Sequence, residues 1–78
     1  MRSSFEIIAE ILETAKEGAK KTRIMYRCGL SYRFVQKYLD LLIDTGLLSL
    51  GNSYQTTEKG MGFLHKYQRL ELLMNTTC

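Results

Sequence analysis

The sequence lacks the features that mark membrane and secreted proteins. Among its 78 residues no apolar run approaches the roughly 18 residues needed to cross a bilayer. Glu6, Glu10 and Glu13 interrupt the hydrophobic stretch that a signal peptide would require near the amino terminus. We therefore expect a soluble, cytoplasmic protein with no membrane partner.

Cysteine and histidine are scarce, and their positions exclude common metal sites. Cys28 lies within a predicted helix, Cys78 is the last residue, and His65 is the only histidine. None of the three has partners at the spacing of a zinc ligand set or of a disulfide framework. We expect reduced thiols, no bound metal and no cofactor.

Catalytic motifs are also missing. The sequence has no glycine-rich phosphate loop, no nucleophile motif and no pair of acids suited to general acid–base work. Four carboxylates recur along the first predicted helix, and a solvated helix face explains this spacing better than catalysis does. These are Glu6, Glu10, Glu13 and Glu17. We expect a protein that is not an enzyme.

The charge that is present is unevenly distributed. Residues 18–39 contain six cations and no acid, whereas the rest of the chain contains five cations and eight acids. A basic segment on an acidic remainder is the pattern expected of a protein that binds phosphate. The alternative is a charged face that serves solubility alone.

The length and composition predict one small globular domain over residues 1–78. A chain of 78 residues has room for one domain, and its hydrophobic fraction of 45% is near the average of globular proteins.

Apolar spacing and capping residues predict three helices in the first part of the chain. The first covers residues 4–17, with a capping box at Ser3 and Glu6, and ends at Gly18. Thr22 is the expected cap of a short helix that ends near Cys28. After a tight turn at Gly29, a longer helix over residues 31–45 is expected to bury Val35, Tyr38, Leu39 and Leu42.

The second part of the chain predicts a hairpin and a final helix. The runs 47–50 and 53–56 flank Gly51 and Asn52, a pair that tolerates the positive φ of a tight hairpin turn. Thr57 is the expected cap of a helix that continues to about Met74. This order predicts an α+β, mostly α fold: a winged helix-turn-helix over residues 1–60, with a two-stranded β-hairpin wing and a carboxy-terminal dimerisation helix over residues 57–74.

The basic cluster coincides with the part of a winged helix-turn-helix that faces DNA. In a helix-turn-helix the amino-terminal part of the recognition helix enters a major groove about 12 Å wide, so we expect the contacts to come from the first half of the third helix. Arg33 is the best candidate for a bidentate contact to guanine or phosphate, and Gln36 for adenine. Ser31 would cap the helix and Tyr32 would stack on a sugar or shield the turn. Lys37 suits a phosphate.

Further contacts are expected from the second helix and from the wing. The remaining phosphate candidates are the cations that precede the turn, and the wing candidates lie at the tip of the hairpin, which has no Arg or Lys. They are Lys20, Lys21, Arg23 and Arg27, and in the wing Asn52, Ser53 and Tyr54.

Several segments together resemble a known family. They are residues 21–26, 30–32, 38–39, 46–48 and 54–60, followed by Phe63 and Leu64. This set resembles the small archaeal winged-helix DNA-binding proteins that are described as predicted transcriptional regulators. The resemblance covers about residues 4–70. It implies double-stranded DNA as partner and a homodimer formed through the carboxy-terminal helix.

The last helix also indicates pairing by its own pattern. Gly60, Phe63, Tyr67, Leu70 and Met74 recur at spacings of three and four residues. So small a domain has little core to cover the distal members. We expect a dimer interface there, composed of Phe63, Tyr67, Leu70, Leu73 and Met74. The alternative for Met61, Phe63 and Leu64 is that they pack beneath the first helix.

Two functional interpretations remain open from the sequence. The first is a homodimeric DNA-binding regulator or chromatin-like protein, with RNA as an alternative that phosphate attraction does not distinguish. The second is a protein-interaction module within a transcription or nucleic-acid-processing assembly, in which the apolar surface of the last helix binds another subunit.

Overall fold

The computed structural model describes residues 3–76, and Cys78 lies outside them. Four helices and one antiparallel hairpin follow one another along the chain. They are α1 (Ser4–Thr14), α2 (Lys21–Cys28), α3 (Tyr32–Asp44), β1 (Leu48–Leu50), β2 (Tyr54–Thr56) and α4 (Glu58–Thr76). The predicted order and fold class are confirmed.

Helix α1 begins as predicted but ends earlier. The side chain of Ser3 accepts from the backbone N–H of Glu6, and the carboxylate of Glu6 accepts from the backbone of Ser3, so the capping box is confirmed. The helix stops at Thr14 because the carbonyl of Ala15 accepts from the backbone N–H of Thr56 at 3.0 Å. Gly18 then turns the chain with φ +93°.

The start of α2 differs from the prediction. Its amino-terminal cap is Lys20, whose side chain makes no capping hydrogen bond, and Thr22 lies inside the helix. The prediction that Thr22 caps this helix is therefore wrong. Ala19 and Tyr54 exchange two backbone hydrogen bonds of 2.9 Å each, which hold the chain extended up to Lys20. The helix consequently begins at Lys21.

The turn between α2 and α3 was predicted correctly. Gly29 adopts φ +65°, the left-handed conformation that glycine takes without a Cβ clash. Its neighbour Leu30 donates its backbone N–H to the carbonyl of Met25 at 3.1 Å. Ser31 then caps α3 by accepting from the backbone N–H of Phe34.

The hairpin is present, but its turn is not the one predicted. Leu48 pairs with Thr56 and Leu50 with Tyr54, so three residues, 51–53, form the loop. Neither Gly51 nor Asn52 adopts a positive φ, and the tight turn predicted from that pair is wrong. The first strand starts at Leu48 because the backbone N–H of Leu47 still donates to the carbonyl of Leu42 at 2.8 Å.

Helix α4 starts at a close approach to the hairpin. The hydroxyl of Thr57 accepts from the backbone N–H of Gly60 at 3.0 Å, which confirms the predicted cap. A Cβ at Gly60 would lie 2.2 Å from the carbonyl oxygen of Leu47, so only glycine fits there. The start of α4 therefore lies directly against Leu47, just before β1, and against Thr56 of β2.

One apolar core lies between the helices and the base of the hairpin. Helix α3 contributes Val35, Leu39 and Leu42, and α2 contributes Ile24 and Cys28. Among the described residues, the set of buried apolar side chains also draws on α1, the turn that follows it, β1 and α4. It comprises Ile8, Ala9, Ile11, Leu12, Ala15, Ala19, Ile24, Cys28, Val35, Leu39, Leu42, Leu48 and Leu64. The core fixes α3 with one side inward and the other exposed.

Candidate nucleic-acid interface

The exposed side of α3 carries two cations in its first two turns. Arg33 and Lys37 are four residues apart, so they lie on the same face of the helix. With Ser31 and Phe34 they line an open concavity of about 460 Å³. Within residues 3–76 neither cation forms an ion pair with a carboxylate. Their charge is therefore available to an external anion.

Beside this pair, α2 and α3 are joined through Lys21. Its ammonium group lies 3.8 Å from the centre of the Tyr32 ring, a cation–π contact. It also donates to Oε1 of Gln36, whose Nε2 donates to Oδ1 of Asp40 at 2.8 Å. The amide of Gln36 is thus engaged within the protein on both sides, which reduces its availability for adenine.

The other arginines of the predicted basic segment lie in a different environment. Arg23 and Arg27 line a polar cleft with Glu13 and Glu17, together with residues of the turn that follows α1. Lys16 lines the same cleft and pairs with Glu13 at 3.4 Å, and within residues 3–76 neither arginine forms an ion pair. The two carboxylates and one further cation leave the field at this cleft less positive than the charge count of residues 18–39 indicates. Lys20 is exposed at the start of α2.

The hairpin presents few groups to an external partner. Asn52 is exposed at its tip, whereas Ser53 and Tyr54 are half-buried. The backbone of Tyr54 is held by Ala19, and a Cβ at Gly18 would lie 3.0 Å from the hydroxyl of Ser53. Of the three predicted wing contacts, Asn52 is the most accessible.

Two exposed side chains near this surface were missed by the sequence reasoning. Phe34 is 57% exposed and lines the same concavity as Arg33 and Lys37, and Leu50 is 58% exposed where β1 enters the hairpin loop. The position of Phe34 one residue after Arg33, on a helix whose inward residues begin at Val35, was the available signal.

A second surface lies at the distal part of α4. Phe63 is half-buried and its ring lies 6.5 Å from that of Phe5, so it packs on α1. Leu70 and Met74 are 59% and 69% exposed and, with Tyr67, form an apolar groove beside these two rings. The exposed set also includes Leu72 and Leu73, of which Leu72 was not predicted.

Tyr67 is the titratable group with the clearest perturbation on this surface. Partial burial raises its pKa above the ordinary value of 10.0. The negative charges of Glu71 and Glu6, and a hydrogen bond to Glu71, act in the same direction. The neutral phenol is therefore favoured in the folded chain.

The sequence and the fold were compared with known proteins. The sequence model of one protein family, described as winged helix-turn-helix, matches residues 1–75. The chain belongs to the winged helix-turn-helix family. An uncharacterized protein of Methanocaldococcus jannaschii is 40% identical over 77 residues, which cover 96% of this chain and 79% of that protein.

A solved structure has the same winged-helix fold. It is the crystal structure of Sso10a-2, a DNA-binding protein from Sulfolobus solfataricus, with a TM-score of 0.84 and 29% sequence identity. The superposition covers 97% of this chain and 85% of the Sulfolobus chain. Because the match spans almost the whole of this chain, it includes α4 as well as the helix-turn-helix and the wing.

In winged-helix terms, the structure separates the predicted binding residues into groups. Helix α3, the second helix of the helix-turn-helix, presents Arg33 and Lys37 together, with Ser31 at its start. Tyr32 and Gln36 lie beside them and are held by Lys21. The remaining candidates are distributed over α2, its start and the wing: Lys20, Arg23, Arg27, Asn52, Ser53 and Tyr54.

Within residues 3–76 no three His, Cys, Asp or Glu side chains lie close enough together to hold a metal ion. None of the helices described there combines the length and the apolar composition needed to span a bilayer.

Proposed function

We propose that this winged-helix chain binds double-stranded DNA, with the amino-terminal turns of α3 in the major groove, and that it acts as a homodimeric regulator or chromatin-like protein without enzymatic activity. The carrying observation is the outward pair Arg33 and Lys37, which no carboxylate neutralises within the described residues. A structural neighbour that is a DNA-binding protein supports the same conclusion.

The contacts proposed for α3 follow from the chemistry of its side chains. The planar guanidinium of Arg33 matches two acceptors at once, as on guanine or on a phosphate. The ammonium of Lys37 acts as a point charge on phosphate. At the start of the helix, Ser31 and the positive end of the helix dipole face the same concavity.

The remaining proposed contacts lie at the edges of this surface. Lys20 and Lys21 would bind phosphates along the start of α2, and Tyr32 would keep Lys21 in place through its ring. Asn52 at the wing tip would touch the backbone of the duplex, with Ser53 and Tyr54 behind it. Arg23 and Arg27 would contribute at longer range, because Glu13 and Glu17 lie beside them.

The proposed homodimer would form through the distal part of α4. The exposed apolar side chains there are Leu70, Leu72, Leu73 and Met74. Leu70 and Met74 lie on one side of the helix and line the groove beside Tyr67, with Leu73 next to them, whereas Leu72 lies on the opposite side. Contiguous exposed apolar surface on a small domain is typical of an interaction site. A symmetric dimer would place two recognition helices on one duplex.

DNA binding is tested by a fluorescence anisotropy titration of a duplex at two salt concentrations. Release of counterions from about four to six phosphates per domain predicts that log K falls with log salt by about 0.9 for each phosphate. The double variant Arg33→Ala/Lys37→Ala should lose at least ~2 kcal/mol of binding free energy.

The matched control removes the same charge elsewhere. Arg69 is exposed on α4, outside α2, α3 and the wing. The variant Arg69→Glu changes the net charge by the same two units and should retain most of the affinity. A wild-type chain that binds no duplex near 50 mM salt, or whose affinity does not depend on salt, would contradict the proposed function.

The same apolar end of α4 favours a second candidate, a module that docks on another protein of a transcription or nucleic-acid-processing assembly. Light scattering distinguishes the two. A dimer that Leu70→Glu converts to a monomer supports the proposed homodimer. A wild-type monomer would favour the docking module.

A further inference from the structure

The first two turns of α3 contain several side chains that are already engaged within the protein. Val35 is buried, and the ring of Tyr32 holds the ammonium of Lys21. Gln36 is bonded on both sides of its amide, and the hydroxyl of Tyr38 donates to Oγ of Ser4 at 3.3 Å. What remains for an external partner is a smaller set than the sequence predicts.

That set is Arg33, Phe34 and Lys37. Phe34 precedes Lys37 by three residues, so both lie on the same side of the helix, and all three side chains line the concavity that begins at Ser31. Phe34 is 57% exposed, although it is the most apolar side chain of this surface. An aromatic ring thus lies beside two cations at the end of α3 that the proposed function places in the major groove.

A phenylalanine can read one feature of the major groove. Its ring has no donor or acceptor for the hydrogen-bonding edges of the bases, whereas the C5 methyl group of thymine is an apolar group exposed in that groove. The neighbouring cations Arg33 and Lys37 favour a polyanion over an apolar protein partner in the concavity that Phe34 lines. They would hold phosphates and bring the ring close to the base edges.

We infer that Phe34 contacts the C5 methyl group of thymine and so determines a preference of this surface for duplexes that carry that methyl group. The inference rests on the proposed function, because it needs α3 to lie in the major groove. Burial of one methyl group is worth roughly a fourfold change in affinity. This residue would then supply sequence preference, while Arg33 and Lys37 supply most of the attraction.

The test compares two DNA hairpins with alternating A and T or alternating A and U. Wherever the protein binds along the A–T hairpin, thymine methyl groups lie in the major groove. The A–U hairpin differs from it only by the loss of these methyl groups. The full chain should bind the thymine duplex about three- to fivefold more tightly. A mixed-sequence duplex in which 5-methylcytosine replaces cytosine should likewise be bound more tightly than its unmethylated form.

Variants of Phe34 test whether this residue causes the preference for the thymine hairpin. Phe34→Ala should bind both hairpins equally, and Phe34→Leu should keep part of the preference because it keeps an apolar side chain. Tyr26→Ala is the matched control: Tyr26 is an 81% exposed aromatic residue on α2, and its loss should leave the preference unchanged. Since Phe34 is exposed, we expect its variants to unfold at the wild-type temperature.

The outcomes separate this inference from the proposed function. Equal binding of the wild-type chain to both hairpins, with normal salt dependence, would overturn the methyl contact and leave DNA binding intact. A preference that survives in Phe34→Ala would assign it to another residue and also overturn the inference. Failure to bind either hairpin would overturn the proposed function together with it.

Discussion

The two helices of the helix-turn-helix carry similar numbers of cations but present them in different surroundings. Arg23 and Arg27 on α2 share a cleft with Glu13, Glu17 and Lys16, whereas among the described residues no carboxylate lines the concavity of Arg33 and Lys37 on α3. The difference arises because the end of α1 and the turn that follows it lie beside α2. A basic segment in a sequence therefore becomes a binding surface only where the fold leaves its charges uncompensated.

The largest expected effect is the loss of the packing that holds α3 against the rest of the domain. Leu39 is 0% exposed, and Leu39→Ala should lower the free energy of unfolding by about 2–5 kcal/mol. Leu41 on the same helix is 49% exposed, so Leu41→Ala should cost much less. Urea unfolding of both variants checks this. Similar losses of unfolding free energy in Leu39→Ala and Leu41→Ala would contradict the burial of the Leu39 side of α3.

Charge reversal should distinguish the two helices directly. Arg33→Glu should weaken duplex binding by about 2–3 kcal/mol, because it replaces a direct contact by repulsion. Arg23→Glu makes the same change of charge near carboxylates that already lower the local potential, and should cost less than ~1 kcal/mol. Anisotropy titrations at one salt concentration measure both values. A larger loss of binding free energy in Arg23→Glu than in Arg33→Glu would contradict the prediction that α3 makes the direct contacts to the duplex.

Removal of a hydroxyl near the start of each helix should also affect the stability of the chain differently. The hydroxyl of Ser31 caps α3, so Ser31→Ala should destabilise the chain by about 1 kcal/mol. Thr22 lies inside α2, where Lys20 occupies the cap position, and Thr22→Ala should change stability by less than ~0.5 kcal/mol. Thermal unfolding compares the two. An equal cost would mean that Thr22 has a capping role that this geometry lacks.

The smallest effect is expected at the carboxylates beside α2. Glu13→Gln/Glu17→Gln removes the negative charge that shares the cleft with Arg23 and Arg27. We expect duplex affinity to rise by no more than about fivefold at low salt, and the gain to shrink as salt is added. Glu58→Gln serves as a control at the start of α4. Unchanged affinity would show that these arginines lie too far from the duplex to matter.

Much of the fold was predictable because its signals are local. The caps at Ser3, Ser31 and Thr57 depend on residues within one helical turn, and the turn at Gly29 depends on one backbone conformation. The cap of α2 was not predictable in this way. Its position follows from the pairing of Ala19 with Tyr54, two residues that are distant in the sequence.

The candidate site was predicted only in outline for the same reason. Residue order places Arg33 and Lys37 on one helix face, and the structure agrees. The order of residues in the sequence does not show that Lys21 donates to Gln36 across the interface between α2 and α3. It also does not show that Glu13 and Glu17 lie beside the α2 arginines. These contacts depend on tertiary packing, which periodicity along the chain does not encode.

The central claim is that the outward face of α3 binds the phosphates of a duplex. The salt dependence of affinity for the wild-type chain and for Lys37→Ala tests it most directly, with Arg69→Ala as the control. If Lys37 neutralises one phosphate, the slope of log K against log salt should become shallower by about 0.9 in Lys37→Ala. A slope equal to that of the wild type would contradict the claim.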